Sequence, residues 1–300
     1  MSLDHPHCRV FSSGFFYIYF NPTQRNMNDL DKNFLLTIEY DGSGFYGWQR
    51  QKNMRTVSED IETALARITG KRVSVKGSGR TDSGVHALGQ TASFRVDTHL
   101  NADIFKKALN SLLAEDIVIR DCREVSYKFH AQYDAVRKEY HYLVTVRNEK
   151  CALFRKFAWV VRTMPDIEAM KEAAACIVGE HDFKSFESAG SPRTSTVRNI
   201  YKAEVSVKKG HDLYGPMRGL ELIVFQIEGS GFLKYMVRNI MGTLMEVGCG
   251  KISPIEFKNI LESRDRTKAG PAAPANGLYL VRVDYADIAA PEIGEPDIEA

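Results

Sequence analysis

Gly77-Ser78-Gly79-Arg80-Thr81-Asp82-Ser83-Gly84-Val85-His86-Ala87 decides how the chain is read. Arg72 to Lys76 before it and Gln90 to Val96 (QTASFRV) after it both read as strands, so the glycine-rich run joins strand to strand. A dinucleotide fingerprint would need a glycine at position 82 and a helix behind the loop. A phosphate-binding P-loop would need Gly-Lys-Ser/Thr opening a helix. Both are absent, and neither nucleotide site is supported.

Working outward, Phe34 to Tyr40 (FLLTIEY) is a strand with Phe34, Leu36, Ile38 and Tyr40 on one face, broken by Asp41-Gly42-Ser43-Gly44. Thr56 to Glu59 has the pattern of a capping box, and Val57, Ile61, Leu65 and Ile68 recur at helical spacing up to Gly70. Asn101 caps a second helix, and Ile117 to Val125 is a closing strand. The order is β-α-β-β-α-β, a ferredoxin-like arrangement.

The second half repeats the character. Tyr140 to Val146, Phe157 to Val161, Ile200 to Val207 and Leu220 to Ile227 read as strands, the last apolar on both faces and therefore central. Pro165 opens a helix that ends at Gly179, Phe232 to Val247 is a long apolar helix, and Ser253 to Glu256 caps a short one. Leu278 to Tyr285 closes the fold. The expected class is α+β, with two units spanning 31–127 and 128–286 and a cleft between them. Residues 1–30 read as an N-terminal extension, disordered or the product of a cloning scar or an upstream start, with Met27 as an alternative start. Residues 287–300 read as an acidic tail.

Composition narrows the function. At 300 residues and 44% apolar content the chain buries a sizeable core and favours two domains. Phe11 to Phe20 is too short for a membrane span and lacks a cleavage site, so a cytoplasmic protein is expected. The five cysteines (8, 122, 151, 176, 249) form no Cys-x-x-Cys, and the His5/His7/Cys8 cluster has no partners, so neither disulfides nor a metal is expected. Net charge is +2, but residues 287–300 hold five acids and no base, while residues 1–30 balance; residues 31–286 therefore carry +7. A basic body suits a polyanionic partner.

The loop carries one carboxylate and no second acid nearby. Beside Arg80, Asp82 is expected to stay ionised, which suits a nucleophile and not a general acid. Glycines 77, 79 and 84 allow positive φ and close approach of a ligand. In Arg137-Lys138-Glu139-Tyr140-His141-Tyr142, alternation puts Lys138, Tyr140 and Tyr142 on one face; a core tyrosine pair and a base-stacking platform fit equally. Lys234 and Arg238 lie four apart on an apolar helix, so at least one is expected where water is scarce. Arg238 would then pair with a buried carboxylate or with RNA phosphate. Trp48, Gln49 and Arg50, with Arg193 and Arg198, either line an RNA groove or are solvated loop residues.

Five segments, Tyr40 to Gln49, Gly79 to Ala87, Lys138 to Tyr142, Met236 to Gly242 and Gly277 to Leu280, in this order resemble the bacterial tRNA pseudouridine synthase A family. The resemblance covers about Phe34 to Tyr285. It implies two ferredoxin-like units with abutting, mostly antiparallel sheets and a basic catalytic cleft. It further implies a homodimer, no cofactor or metal, and an isomerase converting uridine to pseudouridine at positions 38, 39 or 40 of the tRNA anticodon stem-loop. Carried onto this chain, it makes Asp82 the nucleophile and Arg80 its ion-pair partner. Tyr140 would stack on the target uracil and Arg238 would face Asp82. Leu278 would pack on the flipped base. Apart from the resemblance, Trp48, Gln49, Arg50 and His86, in or beside the glycine-rich turns, are expected as further substrate contacts. The competing classes fit less well. An RNA-binding module would show an aromatic RNP run, which is missing, and a glycosidase ordinarily needs a second acid.

Overall fold

The computed structural model describes residues 31–152, 154–188, 195–209, 221–286 and 288. The expectations for residues 1–30, for Arg193 and for the acidic tail other than Ile288 fall outside them. The strands are β1 (Asp31–Tyr40), β2 (Lys76–Gly77), β3 (His86–Asp97), β4 (Ile117–Val125), β5 (Ala135–Val146), β6 (Trp159–Val161), β7 (Gly179–Asp182), β8 (Val197–Lys209), β9 (Glu221–Gly229) and β10 (Leu278–Tyr285). The helices are α1 (Val57–Thr69), α2 (Ala102–Leu112), α3 (Ile167–Ala175), α4 (Met236–Gly248) and α5 (Pro254–Ser263). Among the described residues, this is a mixed α+β fold on one ten-stranded, largely antiparallel sheet.

Strand order is β4-β1-β3-β10-β5-β9-β8-β7, with β2 on β3 and β6 on β5. The expected face of β1 is buried, with Phe34, Leu36 and Ile38 fully enclosed. Register sets Phe34 opposite Phe94, and Phe105 of α2 closes the cluster at 4.9 Å from Phe34. Each such ring contributes roughly 1.5–3 kcal/mol by leaving water. Phe186 and Phe257 stack at 5.6 Å in the second half. β9 lies between β5 and β8, as its two apolar faces predict.

The two sheets expected to abut are joined instead into one. β10, the last strand, pairs with β5 over most of its length and touches β3 in parallel through Tyr279–His86 and Leu280–Ala87. This short junction brings the start of β10 beside the end of the glycine-rich loop.

Several boundaries differ for local reasons. The Thr56 side chain makes no cap hydrogen bond: it is fully buried with its hydroxyl unpartnered, and Glu59 lies 3.5 Å from Arg50 instead. The Ser253/Glu256 capping box does form, with Pro254 in the first turn. The strand expected at 72–76 shrinks to two residues, whereas β3 starts at His86, four residues before the expected Gln90. α4 begins at Met236, not Phe232, and β7 was not anticipated.

Candidate active site

The loop between β2 and β3 is fixed by neighbours far away in sequence. The residues after β1 wrap beneath it: Trp48 N–H donates to Thr81 O (3.1 Å), Gly84 N–H to Phe45 O (3.3 Å), and Ser83 Oγ to Phe45 O (3.1 Å). Tyr40 at the end of β1 shares a buried 2.7 Å hydrogen bond with Thr81 Oγ1. From β5, Lys138 Nζ donates to Ser78 O at 2.6 Å, so both halves hold the loop. Of the three loop glycines only Gly84 takes a positive φ (78°). Gly77 is needed for another reason: a Cβ there would lie 2.5 Å from the Trp48 indole nitrogen.

Asp82 meets its cation across the sheet junction. Arg238, in the first turn of α4, places its NH1 atom 3.2 Å from Asp82 Oδ2, with Arg238 13% and Asp82 22% exposed. The Arg238 Nε–H donates to Ala273 O at 2.8 Å, fixing the guanidinium from a second side. Among the described residues Asp82 Oδ1 has no hydrogen-bond partner. Burial raises the Asp82 pKa above the ordinary carboxylate value, against the opposing pull of Arg238 and, more weakly, Lys234.

Two expectations change here. The ion-pair partner of Asp82 is Arg238, and the exposed Arg80 makes no ion pair among the described residues. The carboxyl pKa is shifted up by desolvation, where an adjacent arginine had been expected to hold it down. The carboxylate is thus poorly hydrated and held by one guanidinium.

Tyr140 is buried on β5, and its ring meets Phe232 edge-on at 5.0 Å. Burial, with smaller contributions from Tyr40 and Asp82, pushes its phenol pKa up, so the hydroxyl is protonated at neutral pH. Tyr142 on the same face donates to Pro274 O at 2.7 Å and belongs to the core. Leu278, first residue of β10, is 5% exposed at the wall of the site.

Asp82, Arg238, Tyr140 and Leu278 line a pocket of about 2130 Å³, bounded by residues 72–83 on one side and 230–238 on the other. Its lining carries eight basic side chains, including Arg72, Lys76, Arg80 and Lys234, against Glu62 and Asp82. Gln49 and Arg50 are exposed at its rim, with Arg50 paired to Glu59 and Glu62. Arg198 lines it too, its guanidinium bonded to Ser195 O and Val197 O.

Trp48 is more enclosed than a groove residue needs to be, and His86 lies outside the pocket lining. Trp48 is 3% exposed, props the loop from below and still borders the pocket. His86 is 2% exposed behind the loop, stacked on Tyr279 at 4.8 Å. Its Nδ1 accepts from Gly42 N–H (3.1 Å) and its Nε2–H donates to Lys156 O (2.8 Å), the pattern of a neutral imidazole. Burial lowers its pKa, against Lys156 and Asp41. Its role in this geometry is to tie three segments together. Tyr40, Lys138 and Gln90, which support the loop, were not singled out as such from sequence; polar groups on core-facing strand positions were the available signal. No group of three or more His, Cys, Asp or Glu able to hold a metal occurs among the described residues.

Known proteins are similar to this chain over most of its length. The family described as tRNA pseudouridine synthase matches residues 36–134 and 173–286. Over 254 residues, 85% of this chain and the full length of each relative, the chain is 45% identical to a tRNA pseudouridine synthase A of Acetivibrio thermocellus. The same coverage gives 44% identity to that of Caldicellulosiruptor bescii and 42% to that of Thermoanaerobacter sp. strain X514.

Proposed function

Because the chain belongs to the tRNA pseudouridine synthase family, we propose that it isomerises uridine to pseudouridine in tRNA, with Asp82 as the nucleophile. The N1–C1′ bond breaks, the uracil turns, and a C5–C1′ bond forms. The C5 hydrogen leaves to water and N1 ends protonated, so substrate and product are isomers and no cofactor enters the balance. The observation that carries the reading is the Asp82–Arg238 pair, 3.2 Å apart at the wall of a pocket rich in basic side chains.

The target base must leave its stack to reach Asp82, at a cost of a few kcal/mol. Phosphate contacts from the basic lining and stacking on Tyr140 offset that cost. Attack at C6 or at C1′, or elimination to a glycal, each needs Asp82 as an anion. The Arg238 guanidinium supplies the charge that favours the anion against desolvation. Tyr140, kept protonated by burial, enters as a proton donor or relay and not as a base. Arg80, exposed and unpaired among the described residues, is free to meet RNA phosphate. Gln49, Arg50 and Leu278 are assigned to the substrate surface.

The finer architecture belongs to the same reading. The strand order β4-β1-β3-β2 supports a ferredoxin-like unit over residues 31–127, with a second α+β unit over 128–286. We assign the target to one or more of positions 38, 39 and 40 of the anticodon stem-loop, and a cytoplasmic homodimer as the working form.

The test uses tRNA transcript tritiated at uridine C5. Wild-type protein should release tritium to water, and Asp82→Asn should bind the tRNA and release none. Release by Asp82→Asn at a rate near wild type would overturn the assignment.

A further inference from the structure

We propose that Tyr235 is a positioning residue whose ring clamps the Arg238 guanidinium on Asp82. The proposal rests on the reading that Asp82 and Arg238 are the reacting pair. Tyr235 precedes α4 with φ 64° and ψ 1°, in the left-handed region that L side chains enter reluctantly. Such a position ordinarily takes glycine or asparagine. The tyrosine does not compensate by capping the helix, since its side chain makes no cap hydrogen bond. Among the described residues its hydroxyl has no hydrogen-bond partner either.

What the conformation achieves is a ring contact. The Arg238 guanidinium carbon lies 4.5 Å from the Tyr235 ring centroid, within cation–π range. Lys234 Nζ approaches the same ring at 5.8 Å. Arg238 is therefore held on three sides: its Nε by Ala273 O at 2.8 Å, its NH1 by Asp82 Oδ2 at 3.2 Å, and its face by the ring. A guanidinium covered in this way is not free to swing out to an incoming phosphate. Backbone strain beside a reacting group is the observation from which a functional role is inferred.

Tyr235→Asn removes the ring and keeps a residue suited to the left-handed conformation. The expected result is an undiminished melting temperature, tRNA affinity within about twofold of wild type, and single-turnover isomerisation slowed roughly tenfold or more. The acid limb of its pH–rate profile should also move to higher pH. Asp82 is faced by Arg238 and Lys234 from the α4 side and by Tyr140 from β5, and loosening Arg238 leaves desolvation less opposed. Tyr235→Phe keeps the ring and should restore most of the turnover. Tyr235→Asn turning over like wild type, or Tyr235→Phe falling as far as Asn, would overturn the clamp. Asp82→Asn run in parallel separates the two failures. If it is inactive while Tyr235→Asn is fully active, only the clamp is wrong; if it is active, both readings fall.

Discussion

Gly42→Ala is the sharpest test of how the loop is held, because the geometry predicts different fates for two glycines in one turn. A Cβ at Gly42 would lie 2.0 Å from the Val85 carbonyl oxygen and 2.5 Å from its carbon. Both are backbone atoms, so no side chain can rotate aside. Restoring an ordinary carbon–oxygen contact of 3.4 Å or more from 2.0 Å needs a shift of roughly 1.4 Å. Val85 N–H donates to Asp82 O at 3.2 Å, so the shift is passed to the turn that carries Asp82. The Gly42 N–H bond to His86 is strained at the same time. Overpacking of this kind costs roughly 1–3 kcal/mol, and each kcal/mol lowers Tm by about 2–4 °C for a domain of 150–250 residues. A misplacement of about 1 Å at the reacting group costs on the order of 100-fold in rate. At Gly44 the same methyl meets only Arg55 NH1 at 3.4 Å and Asp116 Oδ2 at 3.5 Å, ordinary contacts with side chains. Thermal melts with single-turnover tritium release on both variants check this. Gly44→Ala should behave as wild type in both. Gly42→Ala with a lowered Tm and wild-type turnover would refute the claim that the turn positions Asp82.

Tyr140→Phe should bind tRNA normally and turn over much more slowly, whereas Tyr140→Ala should also lose affinity, since base stacking contributes roughly 1–3 kcal/mol; equal turnover of Phe and wild type would reduce Tyr140 to a platform. Folding stability should fall as pH drops below the ordinary histidine value near 6.5, because the unfolded chain takes up the proton that buried His86 refuses. His86→Gln should flatten that slope between about pH 7 and 5 in denaturant titrations. With eight basic side chains lining the pocket against two acidic ones, raising salt from about 50 to 200 mM should weaken tRNA binding roughly tenfold or more, and a salt-insensitive Kd in filter binding would contradict an electrostatic pocket.

What could be read from the chain and what could not follow from the range over which each force acts. Alternation along Phe34 to Tyr40 and periodicity along Val57 to Ile68 reflect which side faces the core, a local property, and both elements stand where they were expected. Thr56 and Ser253 carry the same capping pattern, yet only Ser253 uses it, because burial of Thr56 is decided by packing that no four-residue window contains. Trp48 went to the loop's underside for a similar reason. An indole next to a glycine turn suits a groove or a core equally, and the choice depended on Gly77, 29 positions away in sequence, leaving room for the ring. The Asp82 partner shows the principle most fully. Arg80 is two residues off along the chain but exposed, while Arg238 is 156 residues away and 3.2 Å distant. That contact exists because β10 bridges β3 and β5, setting residues 278–280 and the loop side by side. The residues of the Asp82–Arg238 pair were each conspicuous in sequence, one as a lone carboxylate among glycines and the other as a cation on an apolar helix. Each was anomalous because the other resolves it: a desolvated carboxylate needs a cation, and a buried guanidinium needs an anion. Breaking the β3–β10 junction should therefore uncouple the two halves of the site before it unfolds either half.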